Sequence, residues 1–120
     1  MNYTEIKSFE DACKALNRST DLPDFSMAPE EDRQALIDHY KLTVIAKALN
    51  GDWKPDWNNS SQYKYYPWFY MDGSGFRYDG YAYCYRHSHV DSRLCFRSAE
   101  LAEYAGEQFK NLYKEYFLIK

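Results

Sequence analysis

The chain has 120 residues, of which 45% are hydrophobic and 28% charged, and its formal net charge is −3. This length supplies one domain with a single core. It is too short for a (β/α)₈ barrel or for a dinucleotide-binding fold with a substrate domain. The charge balance excludes a strongly basic, histone-like nucleic-acid binder. Aromatic residues make up 19% of the chain, whereas disordered chains contain few aromatic residues. We therefore expect residues 1–120 to form a single domain, with 1–27 as a looser N-terminal helix and linker.

The predicted location is cytoplasmic. Residues 1–17 contain no apolar run of signal-peptide length and carry acidic residues early. No helical candidate is apolar over the length that a membrane span requires. Cys13, Cys84 and Cys95 are an odd number of cysteines, which is typical of free thiols in a reducing compartment.

Two helices are predicted in the first half of the chain. Residues 8–17 have Ser8 as an N-cap and apolar residues at the spacing of one helical face. A longer helix runs from about Pro29 to Asn50, since proline suits a first turn and Gly51 suits a helix end. Its apolar stripe is broad, so we expect it to be the central helix.

A β-meander is predicted in the middle of the chain. Two aromatic runs, 64–71 and 76–86, flank a glycine-rich turn and are typical of a hairpin. Pro67 has no backbone N–H, so the first strand is expected to be an edge strand or to be bulged there. Residues 93–97 are predicted to form a third short strand.

A long final helix completes the predicted fold. Ser98 is expected to cap it, and it covers about residues 99–118. The small pair Ala105 and Gly106 allows another element to approach closely. The predicted fold class is α+β: a three-stranded antiparallel meander packed by three helices in the order ααβββα, with the second and third helices on the inner face of the sheet.

The aromatic hairpin carries the main functional signal. If the apolar residues of the third strand point inward, the alternation of the strands predicts the following inner face: Phe69, Met71, Phe76, Tyr78, Ala82, Cys84, Leu94 and Phe96. The opposite face then carries Lys64 and the predicted binding residues Tyr66, Trp68, Tyr70, Arg77, Tyr81, Tyr83, Tyr85, Arg93 and Arg97. Exposed aromatic residues mark surfaces that bind protein or single-stranded nucleic acid. A register shift of one residue would bury the tyrosines instead, as ordinary strand residues.

Charge is unevenly distributed along the chain. Residues 62–97 hold five Lys or Arg against three Asp, a net charge of +2, whereas the remainder holds ten against fifteen, a net charge of −5. The overall negative charge favours a protein partner, because phosphate contacts dominate affinity for nucleic acid. Single-stranded nucleic acid is the alternative partner for the same face. No membrane partner is expected, and the oligomeric state is left open.

A short segment after the hairpin has residue types that bind metals. His87, His89 and Asp91 alternate, so in an extended segment their side chains point the same way. This spacing is similar to the start of metallo-hydrolase motifs, which need further ligands, and His39 is the only other histidine. A polar turn is the commoner use of such residues. We predict no metal, no cofactor and no catalytic residue, and keep a small metal-dependent hydrolase as a third interpretation.

Two segments of the chain contain distinctive residue strings. The first is KALNGDWKPDW followed by KYYPWF, and the second is SRLCFRSAELAEYAGEQFKNLYKEYF. They resemble an uncharacterised family of short proteins from Bacteroidetes and their phages and prophages. The resemblance covers the chain from residue 47 onward, and its most specific strings are SRLCF, ELAEYAG and QF-xx-LY. It implies a phage or mobile-element origin and a cytosolic setting, and it assigns no site residue because no activity is established for that family. The expected function is a small non-catalytic binding protein.

Overall fold

The computed structural model describes residues 2–73 and 75–119, which form helices and one antiparallel hairpin. A 3₁₀ turn over Tyr3–Glu5 precedes α1 (Phe9–Ala15), α2 (Glu30–Asn50), β1 (Lys64–Asp72), β2 (Gly75–Cys84), α3 (Ala99–Gln108) and α4 (Lys110–Phe117). The class is α+β, as predicted. The predicted order ααβββα is wrong, because the described residues contain four α-helices and a two-stranded sheet.

Local signals in the sequence set several helix ends. The Ser8 hydroxyl accepts the backbone N–H of Asp11 at 3.0 Å, and the Ser98 hydroxyl accepts that of Leu101 at 3.2 Å, so both predicted caps are confirmed. α2 ends where Gly51 takes a φ of 63°, a backbone conformation that residues with a Cβ disfavour. None of the described helices is both long and apolar enough to cross a membrane.

The predicted third strand, 93–97, is reduced to a single residue pair. Phe96 forms an antiparallel bridge with Tyr65, with N–H to O distances of 3.0 and 2.7 Å. Beside it, the Asn50 side chain donates to the Cys95 carbonyl at 2.9 Å and accepts the backbone N–H of residue 97 at 3.1 Å. These two groups point away from β1, so Asn50 covers the outer edge of the segment. Pairing with β1 goes no further because Pro67 has no N–H for the next rung and the Leu94 N–H is bonded to the Asp91 carbonyl at 3.2 Å. The bridge also lies against β1, whereas a meander requires β2.

A bulge divides the hairpin. Pro67 pairs with Tyr81 and Phe69 pairs with Tyr78, so one residue of β1 opposes two of β2. Gly80, in this bulge, has a φ of 95°, which glycine adopts without steric penalty. Because side chains alternate along a strand, the extra residue reverses the alternation of β2 beyond it. Tyr81 and the alternate tyrosines after it therefore share a face with Phe69, and the predicted face assignment is wrong.

The predicted final helix of 99–118 is broken at Phe109, whose φ and ψ are −110° and 24°. α3 packs on both strands of the hairpin, whereas α4 packs mainly on α2. A single straight helix would not follow both surfaces, and the break allows each half to bury its own apolar side. Phe109 itself is buried at the junction.

The core draws on all four helices and on the hairpin. Its buried members include Ile6, Phe9, Ala12, Cys13, Leu42, Val44, Ile45, Leu49, Phe76, Phe96, Leu101, Ala102, Ala105, Phe109 and Tyr113. The thiols of Cys13, Cys84 and Cys95 are buried and free. Burial, with a smaller contribution from the Cys84 thiol, raises the pKa of Cys95 to about 12, so this thiol stays protonated and weakly nucleophilic at neutral pH.

A buried carboxyl group lies between α2 and α4. Asp38 is fully buried, and its Oδ1 accepts a hydrogen bond from Gln34 at 2.9 Å. The same Gln34 amide donates to Glu115 of α4 at 3.1 Å. Asp38 Oδ2 has no hydrogen-bond donor among the described residues. Burial, opposed by Gln34 and Lys41 and reinforced by Glu115, raises the pKa of Asp38 to about 6.

The close approach at Gly106 predicts a loss of stability on substitution. A Cβ at this position would lie 2.6 Å from the Tyr78 ring and 2.8 Å from Pro67 Cβ. We expect Gly106→Ala to lower the free energy of unfolding by about 1–3 kcal/mol, although alanine favours a helix by about 1 kcal/mol. Gly73→Ala is the control in urea unfolding, since a Cβ there meets nothing within 4 Å. Equal effects of the two variants would contradict the tight contact.

The Asp38 carboxyl predicts that stability falls as pH rises. Its native pKa of about 6 lies above the ordinary value of 3.8, so the native state binds the proton more tightly than the unfolded chain does. This contribution is fully present below about pH 4 and is lost as pH rises through about 6, on the order of 3 kcal/mol in all. Urea unfolding between pH 4 and pH 8 measures it. Asp38→Asn should flatten the profile, and Asp32→Asn, at an exposed position of the same helix, should leave it unchanged; a flat wild-type profile would refute the effect.

Candidate binding surfaces of the hairpin

A buried lysine organises the loop that precedes the hairpin. Lys64 is fully buried, and its ammonium donates to the backbone carbonyls of Asp56, Asn59 and Gln62 at 2.7, 3.3 and 3.0 Å. The Trp57 ring lies over the same ammonium, 5.0 Å from nitrogen to ring centroid, a favourable cation–π distance. Three carbonyl dipoles and a π-face thus replace the water that the charge has lost. The loop is folded around this ammonium, so Lys64 does not belong to an exposed outer face.

Two of the three other predicted residues of β1 are exposed. Alternation places Tyr66, Trp68 and Tyr70 on one face of β1. Tyr66 is only 8% exposed and lies nearly parallel to the His89 ring, with centroids 6.5 Å apart. Trp68 is 50% exposed, and the Arg77 guanidinium lies 4.3 Å from the centre of the Tyr70 ring. We call Trp68, Tyr70 and Arg77 the Trp68 strip.

The opposite face carries a second group of aromatic residues, which we call the tyrosine cluster: Tyr63, Tyr65, Tyr81, Tyr83 and Tyr85. The rings of Tyr63 and Tyr83 are parallel, 4.8 Å apart, and Tyr85 meets Tyr63 edge-on at 4.7 Å. Tyr65 meets Tyr81 edge-on at 5.7 Å. Tyr63, Tyr81 and Tyr83 nevertheless remain 38%, 42% and 48% exposed. The cluster is therefore held by its own ring contacts while presenting ring surface to solvent.

The tyrosine cluster is the open continuation of a face that is otherwise covered. Nearer the hairpin tip, Phe69 packs on Phe76 and on Tyr113 of α4. At the bulge, α3 lies against Pro67 and Tyr78 through Gly106. Beyond the bulge the same face reaches solvent, so the bulge marks the change from core to surface.

Two phenols of the cluster, those of Tyr65 and Tyr85, have a raised pKa. A hydrogen bond with Tyr63, followed by burial, raises the pKa of Tyr85 to about 12. Burial, and then the neighbouring phenols, raise the pKa of Tyr65 as well. No cation–π contact in the described part of the chain involves a ring of the cluster. The surface thus combines apolar rings with uncharged hydroxyl groups.

Neither of the two remaining predicted arginines makes a cation–π contact with a described aromatic ring. Arg93 lines a cavity beside α2. Arg97 is exposed, and its backbone N–H is held by Asn50. The single aromatic face with interleaved arginines is therefore replaced by two faces with different charge.

The histidine segment does not gather a ligand set. The His87 and His89 rings meet edge-on with centroids 5.9 Å apart, and His89 also lies along Tyr66. Asp91 accepts the backbone N–H of Arg93 at 2.7 Å within a turn. Among residues 2–73 and 75–119, no group of three or more His, Cys, Asp or Glu side chains is placed to hold a metal ion.

Sequence reasoning missed Tyr63 and Tyr65 as members of the cluster. The available signal was Gly80, because a glycine inside a strand pattern is typical of a bulge. With the bulge placed there, alternation groups Tyr65 and Pro67 with Tyr81 and its successors. Ala82 and Cys84, expected on the inner face, then fall on the side of Lys64.

The chain matches no protein-family model, no curated protein and no solved structure.

Removal of the Lys64 ammonium should unfold the loop around it. Lys64→Met keeps the apolar stem but removes the ammonium from three backbone carbonyls; those of Asp56 and Asn59 still accept a backbone N–H, whereas that of Gln62 loses its donor, at a cost of about 1–3 kcal/mol. We expect the free energy of unfolding to fall by about 2–4 kcal/mol. Lys54→Met, at an exposed position of the same loop, is the matched control. A Lys64→Met variant as stable as that control would show that the loop does not depend on the ammonium.

Proposed function

We propose that this protein is a small non-catalytic binding protein whose tyrosine cluster binds a protein partner. The observation that supports the proposal is a set of five mutually packed rings on the open part of a sheet face, three of them 38–48% exposed. Tyrosine is enriched in protein interfaces because it offers a large contact area and a hydroxyl group at low cost in side-chain entropy.

Pre-organisation supports the same proposal. Tyr63 is held between the parallel ring of Tyr83 and the edge of Tyr85, and Tyr65 is fixed on one side by its backbone bridge to Phe96. Ordering a mobile side chain on binding costs about 0.5–1.5 kcal/mol. Rings that already restrict one another lose less freedom, so more of the contact energy contributes to affinity.

The distribution of charge favours a protein over nucleic acid at this cluster. The Lys64 ammonium is buried and bound to carbonyl groups, and Arg77 lies on the opposite face. Arg86, next to Tyr85, donates to the Asn58 carbonyl at 3.0 Å. Phosphate contacts supply much of the affinity for nucleic acid, and a surface of neutral phenols does not provide them.

The Trp68 strip supports the alternative partner, single-stranded nucleic acid. Arg77 lies over Tyr70 beside the half-exposed Trp68, and bases stack on such aromatic and guanidinium surfaces. A phage or mobile-element origin and a cytoplasmic setting belong to the proposal through the resemblance of the chain from residue 47 onward.

Truncation of Tyr83 tests the proposed function. Tyr83→Ala should reduce binding of a protein partner at least tenfold, as removal of a central aromatic residue from an interface does. Immobilised wild type and variants are compared for the proteins that they retain from a host lysate, and the retained protein is then titrated in purified form. Trp68→Ala, an equally exposed aromatic on the opposite face, is the matched control and should retain the partner.

Stability and nucleic-acid binding provide the counter-tests. Tyr83→Ala should cost about 1 kcal/mol of stability through its lost ring contacts, whereas Phe96→Ala in the core should cost about 3–5 kcal/mol. Equal destabilisation would place the tyrosines in the core and refute the proposal. A labelled single-stranded oligonucleotide that binds in a salt-dependent way and is lost in Trp68→Ala alone would support the alternative partner.

A further inference from the structure

A cationic cavity lies at the C-terminal end of α2, apart from both aromatic surfaces. Its volume is about 960 Å³, at the upper end of the range typical of small-molecule sites. The walls come from the last turns of α2, the loop after Gly51, the turn at Ser92 and the chain that follows α1. Its charged lining consists of four cations and one carboxylate: Arg18, Lys47, Lys54, Arg93 and Asp52. A net local charge of +3 thus surrounds one cavity in a chain whose net charge is −3.

The four cations have no internal use that accounts for their position. None of them forms an ion pair or a side-chain hydrogen bond with another residue of the described part of the chain. Like charges around a cavity repel one another, and a bound anion relieves this repulsion, which water and salt screen in part because all four side chains are exposed. The carbonyl end of α2 carries about half a negative charge, which is small beside a local charge of +3. The electrostatic balance therefore favours an anion of several charges.

The walls of the cavity are fixed by hydrogen bonds. The Trp57 indole donates to the Ser92 hydroxyl at 2.7 Å, which ties the loop to the turn that bears Arg93. Asn50 joins the end of α2 to the Cys95 carbonyl at 2.9 Å. Lys64 holds the same loop from within. A ligand would meet a formed site, and little binding energy would be lost in ordering it.

An aromatic ring completes the chemistry of the lining. Trp53 is half-buried and lines the cavity together with Thr43, Asn50 and Ser92. An indole offers a stacking face for a planar ring, and Arg and Lys side chains bind phosphate oxygens. We propose that this cavity binds a free nucleoside polyphosphate, with the base against Trp53 and the phosphates among Arg18, Lys54 and Arg93.

Calorimetric titration with ATP at low ionic strength tests this proposal. Arg93→Ala and Lys54→Ala should each weaken ATP binding at least tenfold, because each removes a phosphate contact. Trp53→Ala should weaken it by about tenfold through loss of stacking. Lys110→Ala, at an exposed cation that does not line the cavity, should leave the affinity unchanged. Tyr83→Ala should also leave it unchanged, which separates this site from the tyrosine cluster.

Other ligands distinguish the proposed one from its competitors. Inorganic triphosphate should bind at least tenfold more weakly than ATP, since it lacks the ring. Circular dichroism of each variant shows that the fold is retained, and Arg93→Lys, which keeps the charge, should restore part of the affinity. The proposal is overturned by three results: no heat of ATP binding in wild type, ATP binding that Arg93→Ala leaves intact, or triphosphate binding as tight as ATP. Tighter binding of a single-stranded oligonucleotide than of ATP, lost in the same variants, would also overturn it.

Discussion

A single buried ammonium holds together the loop and the hairpin end that carry the candidate binding surfaces. Lys64 opens β1 and donates to three carbonyl groups of the preceding loop, and Trp57 of that loop lies over it. A charge without water is costly unless each donor finds an acceptor. Since the loop supplies those acceptors, its conformation is coupled to the start of the hairpin. Trp57 then bonds to Ser92, so one interaction positions both the hairpin end and a wall of the cationic cavity.

The Gly80 bulge decides which residues are surface and which are core. It places Tyr78 under α3 and directs Tyr81 and Tyr83 to the same face beyond the helix. Without the extra residue, the tyrosines would fall on the side of Lys64, where the loop already covers the sheet. The bulge therefore creates the tyrosine cluster and separates it from the Arg77 side. This separation leaves one neutral aromatic surface and one that carries a cation.

The tyrosine cluster and the cationic cavity are suited to different chemistry. The cluster offers rings and hydroxyl groups with no cation stacked on them among the described residues, which suits a protein surface. The cavity offers four unpaired cations and an indole, which suits a phosphate-bearing ring. The two are connected through the loop that Lys64 organises.

The sequence by itself determined the helices, the hairpin and the α+β class, because these depend on local rules. Ser8 and Ser98 each cap a helix because each precedes a run with apolar residues at helical spacing. Gly51 ends α2. Tertiary structure decided the rest. Asn50 of α2 covers the outer edge of the 93–97 segment, and Pro67 and the Asp91 carbonyl limit its pairing with β1 to one residue. Competition between the sheet and α2 breaks the last helix at Phe109. These outcomes depend on residues distant in sequence, since a side chain from one element satisfies the backbone of another. The aromatic residues were predicted to form one binding face from their alternation along the two strands, but their division into two faces required the true register, which a single inserted residue reverses.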